Sequence, residues 1–119
     1  MFAGKYKLHN LTVIIDYNNI QIEGYVTDIM PLEPLADKWR SFNWHVIEVD
    51  GHDFRAIDDA VEHAKTIFEK PTIIIANTIP GKGVSFMERN FKWHGNPPNA
   101  EQAAKALEEL KAIGEKISA

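Results

Sequence analysis

Three short apolar runs, LTVII at 11–15, WHVIEV at 44–49 and TIIIA at 72–76, constrain this chain more than any other feature. The first and third are continuous rather than alternating. That pattern belongs to strands of a parallel sheet, which helices cover on both faces. The run from Leu11 to Asp16 is therefore expected to be buried on both sides. Between the runs lie segments of helical spacing. Pro31 and Pro34 open the first, with Pro34 in a first-turn position, Leu35, Trp39 and Phe42 on one face and Asn43 as its stop. After the Asp50-Gly51 turn, Asp53 caps the second, in which Ile57, Val61, Ala64 and Phe68 share a face up to Pro71. Strand-helix-strand units in series call for right-handed crossovers and a parallel sheet. The expected fold class is α/β, with a mostly three-stranded parallel sheet and crossover helices.

The remaining segments are read around that frame. Met1 to Leu8 has helical composition but no capping residue before it, so such a helix depends on tertiary packing. Tyr25 to Met30 reads as loop. Thr78 to Pro98, with glycine at 81, 83 and 95, is a long loop, and long loops in compact domains are usually functional or disordered. Asn99 caps a last helix with a stripe of Ala103, Ala106, Leu107 and Leu110, and Gly114 is its expected end.

Composition removes several function classes. The chain has 119 residues, 45% hydrophobic and 25% charged, with a net charge of −4. This describes one globular unit, and a mildly acidic balance without a basic cluster argues against nucleic acid. Its apolar runs stop well short of the roughly 20 residues of a membrane span. Without cysteine there are no disulfides, thiol nucleophiles or Cys-type zinc sites. No charged-apolar-small leader opens the sequence, so the cytoplasm is the default location.

In open parallel sheets ligands collect outside the carboxyl ends of the strands. That rule directs attention to DYNNIQIEG at 16–24, which follows the first strand. Taken alone, Asn18-Asn19 reads first as a loop whose amides hydrogen-bond their own backbone. His94 in the long loop reads first as an exposed or packed side chain, although its ordinary pKa suits proton transfer near neutrality. Trp93 either walls a pocket or packs against the domain. Gly81-Lys82-Gly83 lacks the spacing of a phosphate-cradling loop and reads as a tight bend. His9, His45, His52 and His63 have no spacing that would bind zinc and are not assigned to the site.

Four segments in order, DYNNIQIEG, MPLEPLADKWRSFNWHVIEVDGHD, PGKGVSFME and WHGNPP, resemble the amino-terminal section of transketolases, as found in enzymes divided between two genes. The resemblance runs from Phe2 into the last helix. It implies a thiamine-diphosphate-binding fold in which the Asn18 side chain and the Ile20 carbonyl bind Mg²⁺, or Ca²⁺. Magnesium prefers oxygen donors in octahedral geometry, which an amide and a peptide oxygen complete. It further implies that Ile22 and Ile79 pack against the cofactor's thiazolium ring. His94 would contact the diphosphate and move protons on the sugar.

The implied reaction is transfer of a two-carbon ketol unit between sugar phosphates. The implied partners are a second copy of the chain or a complementary transketolase subunit, with no nucleic acid and no membrane. The family's Gly-Asp-Gly motif is absent from residues 1–119, so the chain is expected to be the carboxyl-terminal part of one cofactor-binding domain, inactive in isolation. The alternatives are a non-catalytic assembly module and an enzyme like 1-deoxyxylulose-5-phosphate synthase. MPLEPLADKW speaks for transketolase against the synthases.

Overall fold

The computed structural model describes residues 1–118. In chain order the elements are helix α1 (Phe2–Lys5), strand β1 (Thr12–Tyr17), strands β2 (Ile20–Gln21) and β3 (Gly24–Tyr25), and helices α2 (Val26–Ile29) and α3 (Leu35–Ser41). They continue with strand β4 (His45–Asp50), helix α4 (Phe54–Lys65), strand β5 (Thr72–Asn77), a 3₁₀ turn at Phe91–Trp93 and helix α5 (Ala100–Ser118). The chain divides into two compact units. One comprises Met1–Asn18 and Leu32–Thr78, the other Asn19–Pro31 and the chain from Ile79 onward.

The first unit is built on the three expected strands. Their order is β1-β5-β4 and both pairings are parallel, so the last strand in sequence is the central one. In register, Tyr17, Asn77 and Asp50 share one row at the carboxyl edge. β5 takes the middle because TIIIA offers apolar side chains to both faces. Ile73 and Ile75 join Trp44 in a cluster with Val13, Ile15 and Val46, closed by Leu35, Ala36 and Trp39 of α3 and by Ala3 of α1. The Trp39 and Trp44 rings meet edge to face at 4.9 Å. On the other face α4 packs against β4 and β5, with Ala60 and Ala64 buried, while Ile74 is fully enclosed.

β1 differs from expectation. It is a sheet edge, and its residues alternate between exposed and half-buried instead of being buried on both faces. Val13, Ile15 and Tyr17 face the α3 cluster, whereas Ile14 is 55% exposed. An apolar run marks a strand but does not reveal whether its outer face has a cover.

The helices largely follow their signals. Pro34 is the N-cap of α3, and Asn43 follows its end with φ +65°, a left-handed conformation that asparagine tolerates. The Asp53 carboxylate caps α4 by accepting from the backbone N–H groups of Arg55 and Ala56. α4 stops at Lys65, and Phe68 is exposed beyond it. The Thr66 hydroxyl donates to the His63 carbonyl, so the last turn closes early and Ile67, not Phe68, turns inward. α1 has no side-chain cap and rests on packing. Its Gly4 lies so close to the Phe42 carbonyl that a Cβ there would collide with it.

Two expectations fail in the second unit. Tyr25 to Met30 is not loop: Gly24–Tyr25 closes a hairpin on Ile20–Gln21, and Val26–Ile29 forms one helical turn. The Ile22-Glu23 turn carries none of the Asn-Gly or Gly-X pairs that mark a two-residue hairpin loop, so the hairpin has no strong local signal. Gly114 does not end α5, which runs through it to Ser118. A single glycine among helix formers costs only about 1 kcal/mol, too little to stop a helix whose neighbours favour it. The start of α5 is as expected and is reciprocal. Asn99 accepts from the Gln102 N–H and the Gln102 side chain accepts from the Asn99 N–H, both at 2.9 Å. Among the described residues no helix is long and apolar enough to cross a membrane.

Candidate active site

At the carboxyl edge of the first unit, Asn18 follows β1 and is half-buried. Its side-chain amide donates to the Asp16 carboxylate at 3.3 Å, and Asp16 also accepts from the Thr78 hydroxyl. Asp16 and Thr78 thus tie the end of β1 to the end of β5, and Asn18 adds a local bond to the same carboxylate. Tyr17 donates its hydroxyl to Glu33 at 2.6 Å, and Glu33 also accepts from the Leu35 N–H at 2.8 Å. The hydrogen bond to Glu33, reinforced by burial and by the negative charge, pushes the Tyr17 phenol up to about 12. The same bond, with that from Leu35, holds the Glu33 carboxyl below the ordinary carboxylate range.

The second unit assembles around the β2–β3 hairpin and the 79–98 loop. Asn19 has φ +59°, and its carbonyl accepts from the Val26 N–H at 3.0 Å. Ile20 pairs with Tyr25 and is buried. The Tyr25 ring meets Phe91 edge-on at 5.4 Å, which docks the hairpin on the loop.

The loop itself is folded by turns. Gly81 has φ +72°, and a Cβ there would lie 2.7 Å from Met87, so a side chain is excluded by both backbone conformation and space. The Gly-Lys-Gly segment is the tight bend it reads as. Trp93 donates to the Phe86 carbonyl at 2.9 Å, Asn90 caps the 3₁₀ turn by accepting from the Lys92 N–H, and Asn96 donates to the Lys92 carbonyl at 2.6 Å. At the far end, Ser85 donates its N–H and hydroxyl to Glu109 of α5, which lowers the Glu109 pKa. The loop is held by backbone turn hydrogen bonds together with these side-chain contacts rather than by a strand ladder.

These turns deliver His94 to two recesses of the second unit. One, of about 290 Å³, is lined by Ile20, Gly81, Trp93, His94, Asn90 and Asn96 with flanking Pro80, Met87, Gly95 and Pro98. The other, of about 350 Å³, is lined by Gln21, Ile22, Glu23 and His94. The structure thus brings Ile20 and Ile22 to His94, each in one recess. Ile22 is 75% exposed at the hairpin tip. Ile79 is half-buried, accepts from the Lys82 N–H at 3.2 Å and lines neither recess. Trp93 both walls a recess and is locked in its own loop.

Reading the sequence missed Gln21, Glu23, Asn90 and Asn96. Asn90 and Asn96 line the recess built mainly by the 79–98 loop, and Gln21 and Glu23 the one at the hairpin tip, so their grouping depends on how these segments fold. Of the unassigned histidines, His45 on β4 faces His63 of α4 with ring centres 5.2 Å apart. His52 follows β4 and donates its backbone N–H to Asp50. Among the described residues no group of three or more His, Cys, Asp or Glu could hold a metal.

Comparison with known proteins places this geometry. A family model described as "Transketolase, thiamine diphosphate binding domain" matches residues 1–114. The chain is 47% identical over 114 residues to the 6-deoxy-6-sulfo-D-fructose transketolase subunit SqwG of Clostridium sp., covering 96% of this chain and 42% of that protein. It is 39% identical to one subunit of the apulose-4-phosphate transketolase of Phocaeicola vulgatus, covering 98% and 42%. It therefore spans less than half the length of these curated relatives. The crystal structure of Campylobacter jejuni transketolase superimposes with a TM-score of 0.84 at 37% identity, over 92% of this chain and 17% of that one. A Pichia stipitis transketolase in complex with sedoheptulose 7-phosphate matches with a TM-score of 0.78 at 25% identity, over 98% and 20%. With a parallel α/β sheet, the hairpin-and-loop unit and a family match over nearly its whole length, the chain belongs to the transketolase thiamine-diphosphate-binding domain family.

Proposed function

We propose that the chain is part of a transketolase-type transferase that moves a two-carbon ketol unit between anionic sugars, using thiamine diphosphate and a magnesium ion. The observation that carries this reading is the gathering of Ile20, Ile22 and His94 around adjoining recesses of one unit. An apolar lining with one imidazole and a few amides suits a ligand with a ring to cover and polar groups to fix. Two relatives are named as subunits of transketolases for a sulfosugar and a sugar phosphate, which supports both an anionic substrate and a divided enzyme.

When bound, thiamine diphosphate supplies the electron sink for breaking and making the carbon–carbon bond. The residues of this chain bind, orient and move protons. Asn18 offers its side-chain oxygen and Ile20 its peptide oxygen to the metal, an assignment supported by their place in DYNNIQIEG. Ile22 would cover the ring from the hairpin tip, and Ile79, which lines neither recess, is assigned to the ring by its place in the family resemblance alone. His94, on a loop braced by Trp93 and Asn96, donates to phosphate and carries a proton at the sugar oxygen.

Residues 1–119 are read as part of one cofactor-binding domain, and activity is assigned to the assembly that supplies the rest of the relatives' length. A partner, either a second copy or a complementary subunit, is supported by the relatives named as transketolase subunits. Ketol transfer from a ketose phosphate is the decisive assay. It should be absent with the isolated chain and present in the assembly, and activity from the isolated chain with cofactor and magnesium would overturn the division of labour.

A further inference from the structure

The tip of the β2–β3 hairpin has no structural duty that accounts for its side chains. Gln21 pairs through its backbone with Gly24, leaving Ile22 and Glu23 as a two-residue loop. Glu23 is exposed and makes no ion pair among the described residues. Yet the tip forms three sides of a recess of about 350 Å³ whose fourth side is His94. That volume lies within the range of small-ligand sites, about 300–1,000 Å³. Its lining residues carry an amide, a carboxylate and an imidazole, and include no lysine or arginine.

This chemistry selects one part of a sugar. A carboxylate accepts hydrogen bonds from several hydroxyl groups, and an amide both donates and accepts. The same carboxylate repels a phosphate or sulfonate, and no cation lines the recess to offset it. We propose that Gln21 and Glu23 read hydroxyl groups of the sugar, so that this recess takes the uncharged, hydroxylated stretch of the ketose and leaves its anionic end outside. The inference rests on the transferase reading and adds two substrate-binding residues to it.

The test uses the complete assembly containing this chain, with Gln21→Ala, Glu23→Ala and Glu23→Gln introduced at the exposed tip. The KM for the ketose phosphate donor is measured beside that for analogues lacking one chain hydroxyl, and thiamine diphosphate affinity is followed by tryptophan fluorescence. Loss of a hydrogen bond to a charged acceptor should raise the donor KM about tenfold or more in Glu23→Ala, with kcat little changed and cofactor affinity intact. Glu23→Gln should recover part of the loss. The penalty should vanish for the analogue that lacks the contacted hydroxyl, because that contact is already missing. A donor KM unchanged in both alanine variants, an equal penalty for every analogue, or weakened cofactor binding would overturn the inference. If the wild-type assembly transfers no ketol unit, the inference and the reading beneath it fall together. An active wild type with kinetically silent tip variants overturns the inference alone.

Discussion

Ile14 and Ile74 are partners in register on adjacent strands, which makes them a controlled test of the difference between edge and centre. The perturbation is the same in both, isoleucine to alanine. β-Propensity itself reflects packing and burial, so it differs between edge and centre in the same direction as the burial terms. Ile74 is 0% exposed, so its truncation removes the full transfer term and leaves a cavity, at a cost of about 2–5 kcal/mol. Ile14 is 55% exposed, so only about half the transfer term of a buried aliphatic side chain is at stake, about 1 kcal/mol, with no cavity. With an m-value of about 1–3 kcal/mol per molar urea, Ile74→Ala should lower the unfolding midpoint by about 1–2 M and Ile14→Ala by about 0.5 M. Urea titration of both variants, followed by circular dichroism, measures the difference. Equal shifts, or a larger one for Ile14→Ala, would refute the argument, since both outcomes require the outer face of β1 to be as well covered as the middle of β5.

Three further outcomes are expected. In the complete assembly, Asn18→Ala should weaken thiamine diphosphate and magnesium binding and be repaired by excess of both, whereas His94→Ala should lower the saturated rate by about 10²- to 10⁴-fold, as measured by ketol transfer under saturating cofactor. His45 has its Nε2 buried without a hydrogen-bond partner, and burial first, then the charges of His63 and Lys70, lowers its pKa from the ordinary 6.5. The folded chain therefore holds His45 neutral where the unfolded chain takes up a proton, so this contribution is complete above pH 6.5 and is lost as the pH falls below it. Urea melts from pH 7.5 to about 5 should show a decline that His45→Gln flattens. Gly114→Ala, in mid-helix and with nothing within 4 Å of the added Cβ, should stabilise the chain by about 0.5–1 kcal/mol, and thermal melts with no gain would argue that the helix is not formed there.

The strands, most of the caps and the family were legible in the order of residues. Continuous apolar runs, an Asp53 carboxylate placed to meet two helical N–H groups and an Asn99-to-Gln102 box are local physics, readable within a few residues. DYNNIQIEG and WHGNPP were likewise legible as carriers of the family resemblance. Packing settled the features that depend on distant neighbours. LTVII and TIIIA look alike as strings, yet one is an exposed edge and the other the buried centre, because strand order is set by which run can satisfy two covered faces. The helix end at Lys65, ahead of Phe68, follows from the Thr66 hydroxyl closing on the His63 carbonyl, which leaves Phe68 outside the helix. Gly114 was absorbed because the helix around it outweighed one glycine's cost. The recesses at His94 arise from residues about 70 positions apart in the chain, gathered by a two-residue hairpin and a loop held by Trp93, Asn90 and Asn96. Pattern along a sequence records which faces are apolar, whereas the space those faces enclose belongs to the packed chain.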